Sequence, residues 1–141
     1  MFKFLPDVAL ADIAFEARGA SAQEAIAEAG RALLDMLAEP KTVEPKKEYE
    51  IELSAKSLDL LLYDFLSEII YLKDTEVAVF HDLKVEVSGS GPCKLKATLR
   101  GEAIDRVRHE LRNDAKAVTM HLFELTEQAD GTWKAVVVID I

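Results

Sequence analysis

Cysteine is almost absent: Cys93 is the only one in 141 residues. That excludes an intramolecular disulfide framework and any zinc site built on cysteine, and a reducing, cytoplasmic setting is expected. Positive charge is also scarce. Seventeen Lys and Arg face 26 Asp and Glu, a net charge of −9. A phosphate backbone repels so acidic a chain, so strong direct binding to nucleic acid is not expected. A cation or a basic protein partner is accommodated more easily. No apolar run approaches the roughly 20 residues of a membrane-spanning helix. The segment Met1-Phe2-Lys3-Phe4-Leu5-Pro6-Asp7 lacks the apolar stretch of a signal peptide, and no membrane association is expected. Catalytic signatures are missing too. There is no Gly-x-Ser-x-Gly, no glycine loop that cradles phosphate and no His-Glu-x-x-His. His81 and His109 have no neighbour at metal-ligand spacing. No repeat, low-complexity segment or linker interrupts the chain.

Half of the residues are apolar and 30% are charged, the balance of a globular protein. Residues 1–141 are expected to form a single domain that buries about two-thirds of its unfolded surface. Asp12 to Gly19 alternates apolar and polar residues and reads as a first strand. Ser21-Ala22-Gln23-Glu24 is a capping box. Ala25, Ile26, Ala29, Leu33, Met36 and Leu37 follow at helical spacing, and the helix is expected to run to about Ala38, before Pro40. Tyr49 to Ser54 alternates again. Leu58, Leu61, Leu62, Phe65, Leu66, Ile69 and Ile70 make one apolar stripe of a second helix, with Asp59, Asp64, Ser67 and Glu68 opposite. Four more strands are expected at Val77 to Val87, Lys94 to Gly101, Ala117 to Thr126 and Trp133 to Asp140. Ser88 to Pro92 and the Asp130-Gly131 pair read as turns. The expectation is an α+β domain, two helices packed on a mainly antiparallel sheet in the order β-α-β-α-β-β-β-β. Ala103 to Asn113, with Arg106, Arg108, His109, Glu110 and Arg112, reads as a charged surface loop of a length that often carries function.

The apolar run from Ala135 leads into Asp140 and Ile141, whose side-chain and α-carboxylates place two negative charges at the mouth of a buried strand. If that strand lies antiparallel to the one beginning at Asp12, then Asp12, Asp140 and the Ile141 carboxylate converge on one sheet edge. Three hard oxygen donors suit calcium or magnesium, not a metal seeking thiolate or imidazole. The alternative is that both aspartates are ordinary solvated residues at strand ends. Lys116 shares, by alternation, a face with Val118, Met120 and Leu122. It either meets an anion there or snorkels to solvent past apolar neighbours. His121, on the opposite face, reads as a packed core histidine.

Five segments in register resemble the archease family across nearly the whole chain. They are Phe4 to Asp12, Thr42-Val43-Glu44-Pro45, Leu60 to Glu68 with Tyr71-Leu72, Arg108-His109-Glu110-Leu111 with Ala115 to His121, and Ile139-Asp140-Ile141. The resemblance implies an accessory factor and not a stand-alone enzyme. Such a factor activates the RNA ligase of transfer-RNA splicing, stimulating its guanylylation and its multiple turnover. It also implies that Asp12, Asp140 and Ile141 hold a metal, usually calcium (magnesium or manganese being other hard cations), and that Lys116 is the required lysine. Many members carry Asp-His-Thr-Ala-Asp at the first site. This chain has Asp7-Val8-Ala9-Leu10-Ala11-Asp12, which matches Asp12 and leaves Asp7 without an assigned role. Two other functions are compatible with the residues: a metal-dependent phosphoester hydrolase, and an acidic interaction domain whose carboxylates bind nothing.

Overall fold

The computed structural model describes residues 1–6 and 12–141. Asp7 and the rest of the segment before Asp12 lie outside them. The described elements are β1 (Phe2–Phe4), β2 (Ile13–Gly19), α1 (Ala22–Leu37), β3 (Lys47–Ala55), α2 (Leu58–Glu76), β4 (Ala78–Ser88), β5 (Cys93–Ala103), β6 (Ala117–Glu127) and β7 (Trp133–Asp140). A short 3-10 turn, Pro40–Thr42, separates α1 from β3. The α+β order expected from the sequence is observed, with β1 added in front. The strands divide into two antiparallel sheets, β1-β2-β7-β6 and β3-β5-β4. α1 packs on β2 and β4, and α2 on β3 and β6, so both helices lie between the sheets.

The sequence dictates that layering. α1 begins where the capping box places it: the Ser21 hydroxyl accepts the Glu24 N–H at 3.1 Å, and the Glu24 carboxylate accepts the Ala20 N–H at 3.0 Å. Most of α1 is small or apolar, and Gly30 lies so close to its neighbours that an added Cβ would stand 2.7 Å from a Leu83 methyl. A helix covered on two faces needs such small residues. α2 buries Leu61, Leu62, Phe65, Leu66, Ile69 and Ile70, the stripe read from its sequence. Outside, the three-stranded sheet alternates charge across its strands, with Glu52 opposite Lys96 and Lys96 opposite Glu86. That face is solvated, as its polarity requires.

The end of α2 departs from the sequence reading. Val77 was expected to open a strand, but it closes the helix in a left-handed conformation, φ 47°. A β-branched residue is poorly suited to that position, where glycine is favoured. Val77 is exposed, and its carbonyl accepts the Ile104 N–H through backbone alone. Val77→Gly is therefore expected to stabilise the fold by about 1 kcal/mol, raising the melting temperature by about 3–5 °C in a domain of this size. Thermal denaturation followed by circular dichroism checks it.

Candidate functional site

β7 runs antiparallel to β2, with Ile13 opposite Ile139. One step beyond that pair, Asp12 and Asp140 come to the same sheet end. β6 flanks β7 on its other side, Ala117 opposite Asp140, and the Lys116 N–H donates to the Asp140 carbonyl at 2.8 Å. The register therefore gathers Asp12, Asp140, Ile141 and Lys116 at one end of three adjacent strands. Asp12 and Asp140 are half-buried, while Lys116 and Ile141 are exposed. A cavity of about 420 Å³ opens beside Asp12, walled by Phe4, Leu5, Met36 and Arg112 among others.

Carboxylate oxygens are the donors a hard cation takes. Among the described residues no group of three or more His, Cys, Asp or Glu side chains is gathered for a metal. Two aspartates alone make an incomplete shell, which solvent oxygens would extend. In donor type the residues fit calcium or magnesium.

Two readings of single residues change. His121 is exposed, not packed in the core. Met120 and Leu122 are exposed as well, although alternation put them on a face with Val118, which is buried. The cause is an irregularity in β6 between Thr119 and Glu124.

The loop after β5 is strapped down, and its buried anchors were not apparent in the sequence. Glu102 and His109 are buried. Arg108 donates to the Glu102 carboxylate with both terminal nitrogens, one at 2.7 Å. The Glu44 N–H donates to the same carboxylate at 2.7 Å. His109 Nδ1 accepts the Asp105 N–H at 2.9 Å, so Nε2 carries the proton that it shares with Glu102, 2.9 Å away. Arg108, opposed by desolvation and helped by Glu44 and His109, holds the Glu102 carboxyl far below the usual carboxylate range. Farther along, the Arg112 and Asn113 N–H groups donate to the Leu37 and Met36 carbonyls at 2.9 Å each. They satisfy carbonyls that the end of α1 leaves unpaired.

That strap delivers Lys116. Ala115, just before it, is fully buried, and its carbonyl accepts a hydrogen bond from Lys73 at 2.8 Å. Lys73, only 6% exposed, is also ion-paired to Asp114 and to Asp74. Burial would lower the Lys73 pKa, but its hydrogen bonds to the Asp114 and Asp74 carboxylates outweigh that and hold the ammonium charged. A lysine ending an apolar helix, with an aspartate preceding a strand, was the one signal in the sequence. The pairing is non-local and was not legible there.

Comparison with known proteins places the sequence and the fold among known relatives. Residues 2–141 match the Archease protein family (MTH1598/TM1083). The chain is 36% identical to Protein archease of Thermococcus kodakarensis over 132 residues, 93% of each chain. It is 35% identical to Protein archease of Methanopyrus kandleri over 93% of this chain and 94% of that one. The solution structure of Methanobacterium thermoautotrophicum protein 1598 superposes with a TM-score of 0.86 at 33% identity, covering 99% of this chain and 98% of that one. The crystal structure of a Thermotoga maritima archease, described as a possible chaperone, shares the fold with a TM-score of 0.67 at 23% identity, covering 97% and 96%.

Proposed function

The chain belongs to the archease family, and from that premise we propose that it is a protein activator of the RNA ligase of transfer-RNA splicing, stimulating the ligase's guanylylation and turnover. The observation that carries the reading is the register that brings Asp12, Asp140 and Lys116 to one sheet end. Asp12 and Asp140, with the Ile141 carboxylate, would hold a hard divalent cation, calcium first. Such an ion would supply positive charge beside a nucleotide phosphate. The two carboxylates present a negative end toward a basic ligase surface, and the net charge of −9 speeds encounter with it. The Lys116 backbone is held by the Asp140 carbonyl and by the anchored Ala115, and its exposed side chain would carry an ammonium to a phosphate or carboxylate of the ligase site. The chain needs no complete catalytic set of its own under this reading.

The test is guanylylation of the ligase from the same organism, measured with and without this protein; an unchanged rate would overturn the proposal. Binding of the cation has a separate readout. Asp12→Asn and Asp140→Asn are each expected to weaken calcium affinity at least about tenfold, since each removes a charged oxygen donor. Isothermal titration of the unmodified protein and both variants measures this. Equal heats in all three would remove the metal from the site.

A further inference from the structure

β6 carries a feature that its core contacts do not require. Thr119 pairs with Val138, and pairing resumes with Glu124 opposite Val136. Five steps along β6 thus span two along β7, and the excess is taken up in between. Leu122 adopts φ 55° there, a left-handed conformation unfavourable for any residue with a Cβ. Met120 and Leu122 are turned outward, 58% and 53% exposed, with His121 exposed between them.

The bulge is firmly held at its base. The Phe123 ring meets Tyr63 of α2 edge-on with centroids 5.7 Å apart. The Tyr63 hydroxyl donates to the Val118 carbonyl at 3.4 Å, and the Thr119 hydroxyl to the Val138 carbonyl at 3.0 Å. β6 is the last strand of its sheet. A bulge can blunt such an edge against unwanted pairing, as charge or proline can. Exposed methionine and leucine work against it. They make sense when another surface covers them.

Position and charge say which surface. Met120 is four residues beyond Lys116, about 13 Å at the rise of a strand. One interface of ordinary size, about 800 Å² on each partner, spans both. Ile141, also exposed, follows Asp140 at the same end. Glu124 is ion-paired to Lys134 at 3.7 Å, but with Glu127 and Asp140 the carboxylates still outnumber Lys134 and Lys116, which leaves the surroundings negative on balance. We infer that the β6 bulge, Met120-His121-Leu122, is the docking edge for the protein partner that Lys116 addresses, and that the partner offers an apolar socket with a basic rim. This inference rests on the function proposed above. It divides the labour: the bulge supplies affinity and Lys116 supplies the effect.

The experiment titrates the ligase from the same organism with the unmodified protein, with the double variant Met120→Ser/Leu122→Ser and with Lys116→Ala. Guanylylation and direct binding to immobilised ligase are both read. The double variant is expected to need at least about tenfold more protein for half-maximal stimulation, yet to reach the same maximum. Lys116→Ala is expected to bind within about threefold of the unmodified protein and to stimulate little. Leu122→Gly, which removes the side chain and with it the cost of the left-handed conformation, is expected to melt higher and bind more weakly. If the unmodified protein stimulates and the bulge variants match it in binding, the docking edge is overturned while the function stands. If the unmodified protein neither binds nor stimulates, the function falls and the docking edge with it. A dimer in sedimentation that the double substitution dissociates would name a second copy as the occupant and overturn the inference.

Discussion

Lys116→Ala is expected to lower ligase stimulation by about 10²–10³-fold, the usual cost of removing one positioned electrostatic group from a reaction centre. The fold should not notice. Lys116 is exposed, its backbone N–H still reaches the Asp140 carbonyl in the alanine variant, and surface substitutions stay within about 0.5 kcal/mol. A melting temperature unchanged within about 2 °C is the expected control. Lys116→Arg sharpens the test: under the proposed role a planar guanidinium would not replace a compact ammonium, and stimulation should stay low. Formation of the guanylylated ligase, followed with labelled nucleotide, is the measurement. Full stimulation by the alanine variant would exclude Lys116 from the mechanism.

Glu102→Gln is expected to destabilise the protein by about 3 kcal/mol, because it removes the buried charge on which Arg108, His109 and the Glu44 N–H converge. For a domain of this size that is a fall of about 10 °C in melting temperature. The effect depends on pH with a definite sign. The Glu102 pKa is lowered in the fold, so the unfolded chain binds more protons at acid pH. Its stabilisation is complete above the unfolded value of about 4.3 and is lost as pH falls toward the folded one. Urea unfolding of both proteins between pH 6 and pH 3 should show their difference shrinking below about pH 4.5. A constant difference would mean that Glu102 acts through shape alone. Because this network straps the loop that leads to Ala115 and Lys116, the variant should also stimulate less at temperatures where it is still folded.

What the sequence disclosed follows from the range of each interaction. α2 was legible because its stripe is a local, periodic signal, and the start of α1 because Ser21 and Glu24 are three residues apart. Asp130-Gly131 marked its turn through Gly131, whose φ is 86°. The convergence of Asp12 and Asp140 was legible as well, since an antiparallel pair of strands has only one way to bring those ends together. The β6 bulge was hidden by its own residues: Met120 and Leu122 continue the alternation that Val118 begins, so nothing in the pattern marks the extra residues. His109 stood in a run of charges and looked solvated, whereas its partner Glu102 comes from the strand before. Lys73 and Asp114 are 41 residues apart, beyond any local rule.

The strand order of the site-bearing sheet also has a kinetic meaning. β7 sits between β2 and β6, one neighbour from early in the chain and one next to it in sequence. The β6–β7 hairpin closes a short loop, whereas joining β2 to β7 closes a loop of nearly the whole chain. Loop entropy grows only slowly with length, so the long closure weighs less on stability than on speed. The hairpin should form first and capture β2 late. A chain caught between those steps already carries Lys116 beside Asp140 but has no Asp12 opposite them. The acidic end is then complete only when the sheet is, and a partner that reads both aspartates engages finished molecules in preference to folding ones.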